Sequence, residues 1–172
     1  MVMGRGQEGC AMEFKVGQDI VYPKYGVGTI LEIKSRKLET GRTKGVLIRF
    51  PARHMEVWVP EERLRNTKVR KPITRGQSRK IYAVLRRRAS FKMSSKAKER
   101  AQHYKDKVLS GDPVELAETV RDLVRLSIRK SLNVREAEIA NAALRTLIRE
   151  LSLATGKDVE TVRGDLEDML YR

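Results

Sequence analysis

The sequence predicts a two-domain α+β protein: a small SH3-like β-barrel followed by an all-α helical bundle. Three observations carry this prediction. Between Gln18 and Pro60 the apolar residues fall in short β-branched and aromatic runs bounded by turn formers, whereas beyond about residue 78 they recur at helical spacing. The chain has 172 residues, room for two small domains, and a hydrophobic content of 40%, enough for a core. Its net charge of +15 is unevenly spread, with +7 on residues 1–74, +10 on residues 75–110 and −2 on residues 111–172.

Taken in order, residues 1–13 are polar and Gly-rich and read as a disordered leader without the apolar stretch of a signal peptide. Four strand-like runs follow at residues 20–22, 28–33, 45–50 and 55–59, separated by turn formers at 23–26, 39–42 and 51–54. Four short strands within about 45 residues are too few for a sandwich, so a strongly bent small barrel is the natural closure. This β domain is expected over residues 14–66. A basic linker over 67–77 contains the breakers Pro72 and Gly76, and the helical domain occupies 78–172.

The first expected helix spans 78–88, with Ile81, Val84 and Leu85 on one face. Ser94 or Ser95 caps a second helix running to about Leu109, ended by Gly111. Asp112-Pro113-Val114-Glu115 is a start signal: Asp at the N-cap, Pro in the first turn, and Glu115 reaching back to the free N–H. That helix is expected to end near Leu132. Asn133 and Glu136 repeat the capping pattern for a helix that stops before Gly156, and Asp158 opens a last one through Val162, Leu166 and Met169. Helices of this length with these apolar faces form a compact bundle.

Several function classes are set aside by composition. One cysteine, Cys10, excludes an intramolecular disulfide, and His54 and His103 are too isolated for a zinc site, so no metal and no cofactor is expected. No apolar run approaches the roughly 18 residues of a membrane span, and a cytoplasmic protein without membrane partners is expected. Gly26-Val27-Gly28 lacks a following helix and Lys-Ser/Thr, so it is turn chemistry and not a phosphate loop. No nucleophile–base pair or paired acid constellation can be assembled, which argues against an enzyme.

The basic stretch is the strongest functional signal. Arg75, Arg79, Lys80, Arg86, Arg87, Arg88, Lys92, Lys96, Lys98, Arg100, Lys105 and Lys107 contain among them only two acids, Glu99 and Asp106. Helical i,i+4 pairing cannot neutralise so many cations, and such a cluster suits a phosphate backbone, with affinity falling steeply as salt rises. Phe91, framed by bases, has the composition of a minor-groove wedge, or else anchors its loop to the bundle.

In this order, the residues resemble the CarD/CdnL family of bacterial transcription regulators. Residues 14–28, F-K-V-G-Q-D-I-V-Y-P-K-Y-G-V-G, are similar to the opening of that family's RNA-polymerase-interacting, Tudor-like domain, which transcription-repair coupling factors share. Val57-Trp58-Val59-Pro60 resembles its later strand and turn. Leu109-Ser110-Gly111-Asp112 with residues 118–123, and residues 147–154 with their E-L-S-L-A close, resemble its helical half.

The resemblance implies a two-handed bridge. The barrel grips the RNA polymerase β subunit, the helical domain touches promoter DNA upstream of the bubble without reading sequence, and the open complex is modulated or stabilised. A monomer suits that role. Arg36, Val57, Trp58 and Pro60 are the implied polymerase contacts, although Trp58 is equally compatible with a barrel-core position. The valines flanking Trp58 should face the opposite side of the strand from it. One departure is plain: the position where the family places a wedge tryptophan holds Ala97. DNA contact is then electrostatic, or Phe91 or Tyr104 substitutes, or the promoter response differs. The competing reading is a basic RNA- or ribosome-associated protein.

Overall fold

The computed structural model describes residues 13–39, 41–88 and 96–171. The barrel is a four-stranded antiparallel meander in the order β1 (Asp19–Tyr22), β2 (Gly26–Leu38), β3 (Gly41–Phe50) and β4 (Met55–Pro60). The strands form where the β-branched runs were expected, but β2 and β3 extend beyond their neighbours into a two-stranded ribbon in which Ser35–Leu38 pair with Gly41–Lys44. The register shifts between Ile30 and Glu32; an extra residue on one strand increases twist and bend, and it curls the sheet into a half-barrel. Ile20, Ile30, Val46, Ile48, Phe50 and Val59 fill the concave side.

The connector is more structured than its composition suggests. Helix α1 (Glu61–Arg65) closes one end of the half-barrel with buried Leu64. Arg70 then pairs with Val21 across the free edge of β1, with Val21 N donating to Arg70 O at 2.8 Å and Arg70 N to Val21 O at 3.1 Å. Helix α2 (Arg75–Arg86) opens three residues before the expected position. Its Thr74 hydroxyl accepts from Gln77 N while the Gln77 side chain accepts from Thr74 N, a complete capping box that makes Gly76 a first-turn residue and not a breaker.

Helix α3 (Ala97–Leu109) follows; the proposed caps Ser94 and Ser95 lie outside the described residues. Helix α4 (Pro113–Arg129) starts at the Asp112 cap, whose carboxylate accepts from Val114 N at 2.6 Å. Glu115 makes no return bond to the cap, because Ser110 Oγ already accepts from Asp112 N at 3.1 Å. The helix ends at Arg129, earlier than expected. Lys130 is extended, Asn133 is recruited to cap α5 (Val134–Thr155), and Leu132 packs beside Tyr104, Leu123 and Ala140. Asp158 caps α6 (Val159–Tyr171) by accepting from Thr161 N. The main helical core joins α2, α4, α5 and α6 through Ile81, Leu85, Val120, Leu147, Leu151 and Leu166.

Barrel and bundle meet along β2 and α5, and one ion pair holds the seam. Arg70 donates both terminal nitrogens to the two oxygens of Glu150, at 2.7 and 2.8 Å, and its Nε to Gly111 O at 2.5 Å. Glu150 is fully buried and also accepts from Ile73 N at 3.1 Å. The backbones close in around this pair. Gly111 sits at φ +78°, where a Cβ would lie 2.9 Å from Lys68 O, and Gly26 sits at φ +91°, where a Cβ would lie 2.9 Å from Thr146 Oγ1. Removing one partner of a buried pair leaves an uncompensated charge at a cost of about 3–5 kcal/mol. Glu150→Ala is therefore expected to lose about that much stability in urea denaturation, whereas Glu160→Ala, on an exposed turn of α6, should change it by less than ~0.5 kcal/mol.

Candidate nucleic-acid and protein interfaces

Strand β1 is partly covered by Arg70, so β4 is the sheet edge that no strand or bridge covers among the described residues. Alternation along β4 sorts its side chains. Val57 and Val59 pack towards the barrel core, Val59 buried and Val57 half-buried, so Val57 offers a strand-adding partner its backbone and only part of its side chain. Trp58 faces the convex side, paired with Leu47, and lies outside the core cluster.

The indole rests on Gly45, where an added Cβ would lie 2.2 Å from the ring. The Arg36 guanidinium stacks 5.2 Å from the ring centroid, a cation–π contact that orders an exposed Arg. Trp58 Nε1 is buried without a hydrogen-bond acceptor among the described residues. Pro60 ends β4 opposite Gly45. Arg36, Trp58 and Pro60 thus share one convex surface beside the open edge.

The expected phosphate contacts divide. Arg79 and Lys80 are exposed on α2, and Arg86, Arg87 and Arg88 are exposed at its C-terminal end. That end is fixed from α4: Arg121 donates to Val84 O at 3.2 Å, and Arg125 donates to Leu85 O at 3.1 Å and also to Arg87 O. Arg125 thereby satisfies carbonyls that the helix terminus leaves without intrahelical partners, and Arg121 adds a second donor to Val84 O, which already accepts from Arg87 N. Lys96, Lys98 and Lys105 are exposed along α3, with Lys96 paired to Glu99. Among the described residues, Arg79, Lys80, Arg86, Arg87, Arg88, Lys98 and Lys105 make no ion pair.

Arg100 is a correction. It is 5% exposed and bound to Glu136 at 2.8 Å, because it sits on the α3 face that packs against α5. Glu136 accepts it while also closing the Asn133 capping box, so Arg100 anchors α3 and is not available to phosphate. Tyr104 is corrected too. At 1% exposure it cannot act as a wedge; burial, followed by the Asp122 carboxylate, pushes its hydroxyl well above the ordinary range. Phe91 and Lys92 lie outside the described residues, and Ala97 is half-buried at the start of α3.

Three basic residues were missed. Lys24 and Arg53 from the barrel and Arg135 from α5 line a groove of about 910 Å³ whose other wall carries Lys98 and Lys105. They are scattered in sequence, so no local charge run marks them.

Family comparison agrees with this layout. Residues 14–73 match the model described as CarD-like/TRCF RID domain, and residues 80–167 match the model described as CarD, C-terminal domain. The chain belongs to the CarD family. A Bacillus subtilis (strain 168) relative named "Putative transcription factor YdeB" is 29% identical over 143 residues, covering 83% of this chain and 93% of the relative. The CarD family is one of transcription regulators, not an enzyme family. No described helix is long and apolar enough to cross a membrane, and no group of three or more His, Cys, Asp or Glu among the described residues is placed to hold a metal.

Three substitutions test these placements in this CarD-family protein. Arg100→Ala should cost about 3–5 kcal/mol in denaturant unfolding, whereas Lys98→Ala should shift it by less than ~0.5 kcal/mol. Gly45→Ala should push the single tryptophan off the sheet, seen as a red shift of its fluorescence emission, with about 1–3 kcal/mol of overpacking cost in the same unfolding assay.

Proposed function

We propose that this CarD-family protein regulates transcription as a two-sided bridge, its barrel bound to the RNA polymerase β subunit and its basic helical surface on promoter DNA upstream of the bubble. The observation that carries the reading is the coexistence of two differently built surfaces joined by the Arg70–Glu150 seam. One is an open strand edge beside Trp58 and Arg36; the other is a field of exposed cations.

An open edge strand recruits a partner strand through main-chain hydrogen bonds, and side chains beside it set specificity. Arg36 supplies positive charge for an acidic patch on β, and Trp58 supplies a large, already ordered contact. The cations on α2 and α3 bind phosphate without reading bases. Contacts made only when the duplex is opened shift the closed–open equilibrium towards the open complex by their differential free energy. With alanine at position 97 and Tyr104 buried, the exposed cations and Phe91 are the DNA contacts of this reading.

Pull-down with an isolated β-lobe fragment, repeated with Arg36→Glu, tests the barrel half. Binding abolished by the reversal is expected, and binding indifferent to it would overturn the assignment. For the other half, fluorescence anisotropy with a short promoter duplex should show affinity that falls with salt and is weakened about tenfold or more by Lys98→Glu with Lys105→Glu. Preference for structured RNA over the duplex would replace promoter DNA with an RNA partner.

A further inference from the structure

Beyond the helical surface, the groove between barrel and bundle has an unexpected set of walls. Between α3 and α5 it is lined largely by apolar side chains, Ala101, Val108, Leu109, Ile139 and Ala142. On the far side stand two barrel cations, Lys24 in the β1–β2 turn and Arg53 in the 3-10 turn Pro51–Arg53.

Both barrel cations are held in place. Lys24 Nζ lies 5.3 Å from the centroid of the Tyr25 ring and Arg53 Cζ lies 5.9 Å from it, and Arg53 Nη2 donates to Lys24 O at 3.4 Å. His54, in the left-handed conformation at φ 49°, ends the turn that presents Arg53. Neither Lys24 nor Arg53 has a carboxylate within ion-pair distance among the described residues. Two like charges around one ring repel, and a bound anion relieves that repulsion.

We propose that the cationic track crosses the seam, so that Lys24 and Arg53 of the barrel bind phosphates of the same duplex that Lys98 and Lys105 of α3 contact. This inference rests on the DNA reading above and extends it to the barrel. Helix α3, with 13 residues, is about 20 Å long, a span that several consecutive phosphates of one strand can follow. Ala101 and Ala142 leave room for a sugar–phosphate backbone to come close. Five cations line the groove, Lys24, Arg53, Lys98, Lys105 and Arg135, against the two carboxylates Glu99 and Glu138, and cations contributed by both barrel and bundle favour the repeating phosphates of a duplex over an acidic protein segment. Of the two carboxylates, Glu99 is already paired with Lys96.

The test is salt-dependent anisotropy of the full chain with a fluorescein-labelled 20-base-pair duplex, comparing wild type, Lys24→Glu/Arg53→Glu and Lys98→Glu/Lys105→Glu. The milder pair Lys24→Gln/Arg53→Gln accompanies them, with melting curves establishing that each variant is folded. Loss of two phosphate contacts should make the negative slope of log affinity against log salt shallower by about 1.8 for the Gln pair, with tenfold or greater weakening for the Glu pair. If the α3 pair weakens binding and both barrel pairs leave slope and affinity unchanged, the inference is overturned while the DNA reading stands. If the wild type does not bind duplex, both fall. A poly-glutamate peptide that binds wild type but not the barrel pairs, with duplex binding unaffected by them, would assign the groove to an acidic protein and also overturn the inference.

Discussion

The interaction on which the rest depends is the bidentate pair between Arg70 and Glu150. It is the point where the chain leaves the sheet, where α5 carries a buried carboxylate, and where the α3–α4 turn presents the Gly111 carbonyl. A buried carboxylate needs its oxygens satisfied, and Glu150 has Arg70 on both oxygens and the Ile73 N–H on one. Such a pair adds little net stability over an apolar substitute. What it specifies is arrangement: few other placements of barrel against bundle satisfy the same atoms. The distance between the open strand edge and the cationic helices is set there.

A similar economy appears inside the bundle. Arg100, Arg121 and Arg125 are members of a strongly basic chain, yet all three act internally, on Glu136, on Asp122 and Val84, and on the carbonyls that end α2. Arginine suits this because its planar fork donates in several fixed directions and stays charged when buried. Positive charge thus has two uses here. Buried arginines orient helices, and the exposed lysines and arginines they orient form the outward field. In sequence the two groups are interleaved, since Arg100 lies two residues from Lys98.

The motifs that carry the family resemblance turn out to be seam chemistry. Gly26, in the opening motif, lets β2 approach Thr146 of α5. Gly111 of the Ser-Gly-Asp run admits Lys68 and accepts from Arg70, while Ser110 and Asp112 beside it cap α4. Glu150, the first residue of the Glu-Leu-Ser-Leu-Ala close, is the clamp carboxylate itself. The sequence reading located these residues without their shared purpose, because the groups they meet lie 41 to 120 positions away along the chain.

By itself the sequence determined the class of each half, the four strands, the starts of α4, α5 and α6 and the position of the cationic excess. Those follow from local rules: β-branched alternation, apolar spacing, and side chains that cap the N–H groups within three residues. Only the tertiary structure decided that the basic connector is a bound element, that Arg100 and Tyr104 are interior, that Trp58 lies on the convex face over Gly45, and that Lys24 and Arg53 stand across a groove from α3. Each of these depends on which faces meet after folding, and a charged side chain reads the same in sequence whether a carboxylate from another helix covers it or water does.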